Sequence, residues 1–366
     1  MEQFKENQKR IYWGVLVGIQ LLPFIYKPNI SIQLLVNSVC CVGLGSLYAI
    51  TIKKGKRVKT SDDDESLSMS DAAKFPFMAS AALMVLYVLF KNIDKDILNM
   101  LFKANFAIMG MSAIGAFFED SIAETFPNLP NKEVFKKKLV LIAGKEGEKD
   151  SATEINFDIT THNLITYTLG AVIGISYVCT NHWFFNNLLG ITFTIGGIML
   201  LRVSKFAVVF LLLWALFIYD IFWVFGSDVM VTVAKNFDVP IKLLFPLSSG
   251  KNSLLGLGDM VIPGLLTALA LKFDVDNGIA KYTPGKDNTL PEIETPTFNF
   301  VMIGYAAGMI ATFVGMSLME KAQPALLYLV PTCCFGLILS LILEKQLFKA
   351  LSYQSDPTDE EKKEKV

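Results

Sequence analysis

The segment FAVVFLLLWALFIYDIFWVFG, residues 206–226, is long and apolar enough to cross a bilayer as a helix, yet it contains Asp220. The next apolar run, SLLGLGDMVIPGLLTALAL at 253–271, contains a second acid, Asp259. An ionisable side chain at membrane depth is costly, so it usually faces the protein interior or a water-filled cavity and marks a functional site. The two aspartates are therefore the first candidates for function.

The positions of the two acids in their runs predict that they meet. Asp220 lies six residues before Gly226, where its helix should end, and Asp259 lies six residues after Ser253, where the next run begins. At a rise of about 1.5 Å per residue, each acid lies roughly 9 Å from the same membrane face. If these consecutive helices pack antiparallel, the two carboxyls face each other at one level.

The composition is that of an all-α polytopic membrane protein. Of 366 residues, 52% are hydrophobic, and the mean hydropathy is +0.46. Apolar stretches recur along the chain between short charged loops, which predicts repeated membrane crossings by helices. The net charge of −1 and the absence of a basic, aromatic-rich surface argue against nucleic acid as a partner. The candidate spans are 11–27, 31–52, 75–90, 97–118, 163–180, 185–201, 206–226, 253–271, 299–319 and 324–343.

The first run, 11–27, is the weakest candidate because it is short and contains Pro23. It could be a signal peptide, a signal anchor or a true span, and Pro28-Asn29 make a poor cleavage site, which favours retention. The sequence divides into an N-terminal hydrophobic extension (1–30), a helical scaffold (31–201) with loops 53–74 and 119–162, a catalytic helical region (202–345) and a charged tail (346–366).

Basic residues predict the orientation of the chain in the membrane. Loops 53–74 and 119–162 carry six Lys or Arg each, and loop 202–205 adds two more, whereas the alternate loops are poor in them. Because positively charged loops stay on the cytosolic side, these loops and the C-terminal tail are expected in the cytosol. The face near Asp220 and Asp259 is then lumenal or extracellular.

Other catalytic chemistries have little support in this sequence. The only histidines, His162 and His182, lie near predicted helix ends, which argues against a zinc site. Neither His-Glu-x-x-His nor Gly-x-Ser-x-Gly occurs, so metalloprotease and serine-hydrolase signatures are missing. No metal and no cofactor are predicted. The five cysteines fall in or at the ends of apolar runs and are interpreted as small buried hydrophobes: Cys40, Cys41, Cys179, Cys333 and Cys334.

The residues around Asp259 predict an irregular backbone. Gly256 and Gly258 remove side-chain bulk before the acid, so another chain can approach closely. Pro263 cannot donate a hydrogen bond to the carbonyl of Asp259, and we expect the helix to be kinked or loosened there. Two carboxyls at one site cannot both ionise cheaply, so the pair keeps one proton and can activate water.

A third segment, QPALLYLVP at 323–331, shares these features. Pro324 suits a first helical turn, and Ala325 is small enough for tight packing. Pro331 leaves the carbonyl of Leu327 without a helical partner. Taken alone, such a segment is most often a kinked packing helix.

The three segments together resemble a known family. Tyr219-Asp220, Gly256-Leu257-Gly258-Asp259 and Pro324-Ala325-Leu326 are similar to the three signatures of the presenilin-type intramembrane aspartyl proteases. The resemblance covers roughly residues 40–345. It is closest to the signal peptide peptidase branch, through the strings 182–190, 217–235, 255–264 and 323–331.

This resemblance implies a nine-helix bundle with one extra N-terminal hydrophobic segment, 11–27. It implies that the carboxyls of Asp220 and Asp259 are catalytic. The residues implied to bind substrate are Tyr219, Gly256, Leu257, Gly258, Pro324, Ala325 and Leu326.

The implied activity is an endopeptidase of the endoplasmic-reticulum membrane that cleaves signal-peptide remnants and type II transmembrane segments. Its partners would be transmembrane peptides and the lipid bilayer, and a homo-oligomer is left open. The tail, Lys362-Lys363-Glu364-Lys365-Val366, does not match the dilysine retrieval signal of the family. From the residues alone, two alternatives remain: a transporter or channel coupled to protons or ions through Asp220 and Asp259, and a non-proteolytic scaffold that binds signal peptides.

Overall fold

The computed structural model describes residues 2–26, 29–51, 66–125, 133–142, 152–246, 252–279, 281–283, 292–319 and 323–355. These residues form twelve helices and three antiparallel hairpins, which confirms the predicted all-α class. The helices are α1 (Glu2–Ile25), α2 (Ile30–Thr51), α3 (Met69–Asn92), α4 (Lys95–Thr125), α5 (Thr161–Thr180), α6 (Trp183–Leu200), α7 (Phe206–Phe225), α8 (Val229–Asn236), α9 (Gly258–Asp276), α10 (Pro296–Met319), α11 (Leu326–Leu343) and α12 (Leu347–Leu351).

Each hairpin joins consecutive strands, so the strands complete helix-to-helix connections rather than a sheet domain. The three hairpins lie in the connections between α4 and α5, between α8 and α9, and between α9 and α10. The strands are β1 (Glu133–Ile142), β2 (Ala152–Thr160), β3 (Lys242–Pro246), β4 (Asn252–Gly256), β5 (Lys281–Thr283) and β6 (Glu292–Glu294).

The molecule has the surface of a multi-pass membrane protein. All ten predicted apolar runs lie within or overlap a helix. Of the described helices, eight are long and apolar enough to cross a bilayer, namely α2 to α7, α10 and α11. Large apolar side chains cover their outer faces, among them Phe77 (77% exposed) and Leu318 (79% exposed). In water a surface of this kind would promote association, whereas lipid covers it at no cost.

Helix α9 is the centre of the bundle. It contacts α2, α6, α7, α10 and α11, and the ten residues from 262 to 271 are all buried. A helix that is apolar on every side is buried either in lipid or in a protein core, and α9 lies in the core because other helices surround it. A buried polar contact with α2 joins the hydroxyls of Thr267 and Ser46 at 2.8 Å.

The start of α9 corrects the sequence analysis. The run 253–271 was expected to be one helix, with a kink at Asp259. Instead, its first residues form strand β4, and the helix begins only at Gly258. Pairing with β3 satisfies the inner edge of β4, and glycine favours helix less than most residues do, so the helix starts late. Asp259 therefore lies in the first turn of α9, not deep inside a longer helix.

The antiparallel packing of α7 and α9 is confirmed. The ring of Phe206, at the start of α7, lies 5.5 Å from the ring of Phe273, near the end of α9. The ring of Tyr353 packs against the same two rings, and the amide of Ser355 donates a hydrogen bond to the carbonyl of Ser204. The last described residues thus lie at the end of the bundle opposite Asp220 and Asp259. The rest of the charged tail lies outside the described residues.

The prediction that the cysteines are buried is confirmed in part. All five cysteines are free, and Cys40, Cys41, Cys333 and Cys334 are buried as predicted. The prediction that Cys179 is buried is wrong, because its side chain is exposed near the end of α5.

Two glycines allow α10 and α11 to pack backbone against backbone. A Cβ atom on Gly304 would contact the carbonyl oxygen of Thr332, and one on Gly336 would contact the carbonyl of Phe300. A backbone group cannot rotate out of the way as a side chain can, so these two positions have no room for a larger residue.

We expect Gly304→Ala to destabilise the protein, because the added methyl group must push α10 away from α11. Overpacking of this kind costs about 1–3 kcal/mol. Thermal unfolding of the purified protein in detergent measures the effect. The control is Gly14→Ala, since no atom lies within 4 Å of the Cβ position of Gly14. Equal melting temperatures for the two variants would contradict the close packing.

Candidate active site

The carboxyl of Asp220 is buried inside the bundle and is held by a backbone amide. Asp220 lies five residues before the end of α7, with only 6% of its surface exposed. Its Oδ2 atom accepts a hydrogen bond from the backbone N–H of Leu326 at 3.1 Å. The sequence offers no basic side chain close to Asp220 along the chain, and the structure supplies this amide from another helix.

The Leu326 amide is free to bind Asp220 because it is the first amide of α11. The first four N–H groups of a helix have no partner within the helix, and the helix dipole gives this end a partial positive charge. Gln323 and Pro324 before it are not helical, and Pro324, Ala325 and Leu326 are all buried. The third sequence motif therefore lies directly beside the first aspartate. Pro324 was expected in the first turn, but the helix begins two residues later.

Asp259 approaches Asp220 from α9. The two carboxyls are close enough to interact electrostatically, so the structure brings together the two acids that the sequence singled out. A Cβ atom on Gly256 would lie 3.3 Å from Oδ2 of Asp259, so the absence of a side chain at Gly256 makes room for this carboxyl. No atom of the described residues lies within 4 Å of the Cβ position of Gly258, which instead borders open space.

Two other residues of the motifs contribute to packing. Leu257 is 9% exposed, and its N–H donates a hydrogen bond to the carbonyl of Ile241 at 3.0 Å, which extends the pairing of β3 with β4. Tyr219 packs 6.4 Å from the ring of Trp223, and the indole of Trp223 donates a hydrogen bond to Ser80 of α3 at 3.1 Å. These contacts fix the positions of α7 and of the segment that precedes Asp259.

The hairpin of β3 and β4 has two edges: α6 covers the edge formed by β3, and the edge formed by β4 points away from α6. Leu244 of β3 pairs in register with Leu254 of β4. The N–H and carbonyl of Leu244 bind the side-chain amide of Asn187 in α6, so they point away from β4. In an antiparallel pair, two opposite residues either both turn their N–H and carbonyl groups towards each other or both turn them away. Because those of Leu244 point away from β4, those of Leu254 point away from β3, to the outer edge of β4. By the same alternation, so do those of Gly256.

The sequence analysis missed two features near the site. Asn186 and Asn187 appeared only within a string that carried the family resemblance, although paired amides in an apolar helix are a signal in themselves. Tyr305 of α10 is fully buried beside Ser38, and it interacts electrostatically with Asp259. A single tyrosine in the apolar run 299–319 could have marked it as a candidate.

Metal ligands are not gathered in this region. Within the described ranges, no three side chains of His, Cys, Asp or Glu come together as they would to hold a metal ion. The polar groups shown to act on Asp220 and Asp259 are the backbone amide of Leu326 and the hydroxyl of Tyr305.

Comparison with known proteins is consistent with this geometry. A family model described as Signal peptide peptidase matches residues 59–357. The signal peptide peptidase of Mus musculus is 36% identical over 336 residues, which is 89% of this chain and 84% of that protein. Its counterpart from Homo sapiens is 35% identical over the same length and coverage. Intramembrane protease 2 of Caenorhabditis elegans is 38% identical over 234 residues, covering 61% of this chain and 49% of that protein. All three relatives are named as peptidases or proteases, which favours a protease over a transporter.

Proposed function

Because the chain belongs to the signal peptide peptidase family, and is thus a multi-pass intramembrane aspartic endopeptidase, we propose that Asp220 and Asp259 are its catalytic pair. The observation that carries this proposal is the meeting of the two acids, from α7 and α9, beside the first amide of α11. The family acts on transmembrane substrates within the bilayer, and a pair of carboxyls can cleave a peptide bond there without any cofactor.

The surroundings of the two acids support different roles for them. The Leu326 N–H and the positive end of α11 stabilise negative charge on Asp220. Asp259 also lies at the start of a helix, in the first turn of α9, but none of the described residues donates a hydrogen bond to its carboxyl. A second charge beside Asp220 would be costly in a site of low dielectric constant. We therefore assign the ionised carboxylate to Asp220 and the shared proton to Asp259.

The reaction then follows the general scheme for two carboxyls. Asp220 takes a proton from water as the water oxygen attacks the scissile carbonyl carbon, and Asp259 gives its proton to the carbonyl oxygen. The resulting gem-diol returns one hydroxyl proton to Asp259 while Asp220 gives its proton to the departing nitrogen, and the C–N bond breaks. Both acids end in their starting states, with one water consumed.

The space around the acids supports a path for an extended peptide. A transmembrane helix hides its carbonyls in its own hydrogen bonds, so a substrate must unwind before water can attack it. The outer edge of β4 offers the backbone groups of Leu254 and Gly256 to such a segment, in the manner of strand addition. Gly258 borders open space next to Asp259, and Ala325, beside Leu326, has only a small side chain.

We propose that the substrates are signal-peptide remnants and type II transmembrane segments. The family name supports the first group, and the lysine distribution supports the second. With the C-terminus in the cytosol, α7 runs from the cytosol to the lumen, inverted relative to presenilin, so its substrates should be inverted too. Residence in the endoplasmic reticulum belongs to the same proposal, because signal peptides are released there.

Asp220→Asn and Asp259→Asn should each abolish cleavage of a signal-peptide substrate in detergent, because a catalytic pair acts as a unit. The loss should be at least about 1000-fold, as is usual for an essential acid or base. Thermal unfolding of each variant serves as the control for correct folding. Substantial turnover by either variant would exclude the aspartyl mechanism at these residues.

Gly258→Leu should strongly reduce turnover while leaving the melting temperature close to that of the wild type. Its side chain would enter open space rather than packed protein, so it should block the substrate and not the fold. The matched control is Gly18→Leu on α1, where no atom lies within 4 Å of the Cβ position either. Normal cleavage by Gly258→Leu would show that the peptide does not pass this position.

Substrate orientation is tested with two proteins that share one transmembrane sequence but carry their flanking lysines at opposite ends. Inserted into microsomes with the enzyme, the type II version should be cleaved at least about tenfold faster than the type I version. The comparison uses wild-type enzyme and Asp259→Asn, so that cleavage by other proteases is subtracted. Equal rates would contradict the orientation argument and leave the catalytic pair unaffected.

A further inference from the structure

A chain of buried amide side chains leads from α1 to the hairpin before Asp259. Nε2 of Gln20 in α1 donates a hydrogen bond to Oδ1 of Asn37 in α2 at 2.6 Å. Oε1 of Gln20 accepts a hydrogen bond from Nδ2 of Asn187 in α6 at 3.4 Å. All three side chains are at most 3% exposed. Buried amides at this depth are costly unless they are paired, so the chain of contacts is a built feature of the fold.

Asn187 takes the place of a third strand. Its Oδ1 accepts a hydrogen bond from the N–H of Leu244 at 2.7 Å, and its Nδ2 donates one to the carbonyl of Leu244 at 2.8 Å. A neighbouring strand would make the same two bonds. Asn186 adds a bond from its Nδ2 to the carbonyl of Lys242 at 2.8 Å. The edge of β3 that faces α6 is therefore fixed by side chains.

Gln20 determines which way the amide of Asn187 faces. A side-chain amide has two hydrogens on nitrogen and none on oxygen, so the two ends are not equivalent. Nδ2 of Asn187 gives one hydrogen to Leu244 and has the Oε1 of Gln20 as acceptor for the other. Asn37 holds Gln20 in the matching direction through the short bond to its Nε2. Without Gln20, one donor of a fully buried amide loses its partner.

A displacement of β3 would be transmitted to Asp259 almost in full, because β3 is paired with the segment that precedes this residue. Leu244 pairs with Leu254, and Ile241 accepts the amide of Leu257, two residues before the acid. Gly190 of α6 packs against the hairpin so closely that a Cβ there would lie 2.9 Å from the side chain of Leu243. The hairpin thus has little freedom to adjust against α6 independently of Asn187.

We propose that Gln20 of α1 is a positioning residue of the active site, acting through Asn187 and the β3–β4 hairpin on the placement of Asp259. Helix α1 then contributes to the geometry of the active site and is not a removable leader. This inference rests on the proposed function, since it assigns Asp259 a catalytic role. Gln20 touches neither the substrate nor the reacting atoms, so its effect lies in the geometry of the catalytic pair.

The test compares Gln20→Met with the wild type in the detergent cleavage assay. Methionine keeps the length and volume of the side chain and removes both hydrogen-bonding groups. We expect kcat to fall about tenfold with KM within about twofold, because small displacements of a reacting group mainly slow the chemical step. Binding of a hydroxyl-bearing transition-state mimic should weaken by a similar factor, since such a ligand also depends on the placement of both carboxyls.

Gln33→Met is the matched control. Gln33 is also a buried amide between α1 and α2, and its Nε2 donates to the carbonyl of Ile19 at 3.2 Å, but its side chain makes no bond to Asn187. Both variants should lower the melting temperature to a similar extent, and only Gln20→Met should lower kcat. Equal kcat values for the two would overturn the proposal, because Gln20 would then serve packing alone.

A double-mutant cycle provides a second, independent measurement. Asn187→Leu removes the residue through which Gln20 acts, so adding Gln20→Met to it should lower kcat no further. Losses that multiply in the double variant would overturn the proposed route. The two levels of inference remain distinguishable. Turnover by Asp259→Asn would refute the proposed function itself, whereas an inactive Asp259→Asn beside a fully active Gln20→Met would refute this inference alone.

Discussion

Inside a membrane, a backbone N–H or carbonyl without a hydrogen bond is so costly that non-helical chain survives only where protein or enclosed water satisfies it. The region around the two aspartates is organised by this constraint. The break before α11 leaves the Leu326 amide free, and Asp220 satisfies it. The break before α9 leaves strand β3 without a neighbour on one side, and Asn186 and Asn187 satisfy that edge.

The same irregularities give the site its chemistry. A carboxylate buried in the bundle needs a donor, and the start of a helix provides one without a basic side chain that would neutralise the charge. In the proposed reaction the peptide to be cut needs backbone partners, and the outer edge of β4 offers those of Leu254 and Gly256. Each departure from regular helix thus serves both the stability of the fold and the reaction proposed for it.

Helix α9 shows why the scaffold must be larger than the site. It is enclosed by α2, α6, α7, α10 and α11, so the placement of Asp259 depends on the packing of the whole bundle. Helix α1 joins this scaffold through Gln20, although it lies outside the nine helices that the resemblance implied. The outer helices face lipid with apolar side chains, whereas the buried amides and acids lie between helices.

The sequence by itself determined the fold class, ten apolar segments that each overlap a helix, and the two acids as candidate functional residues. Long apolar runs and isolated charges within them have few other physical meanings. It also placed the Pro324–Leu326 segment near the site, through resemblance. Only the tertiary structure decided that β4 replaces the expected first turns of α9 and that Leu326 binds Asp220. It alone decided that Asn187 and Gln20 hold the β3–β4 hairpin and that Tyr305 lies within electrostatic reach of Asp259. Each of these depends on partners far away in sequence, and a periodicity or spacing along one chain carries no information about a hydrogen bond across 106 residues.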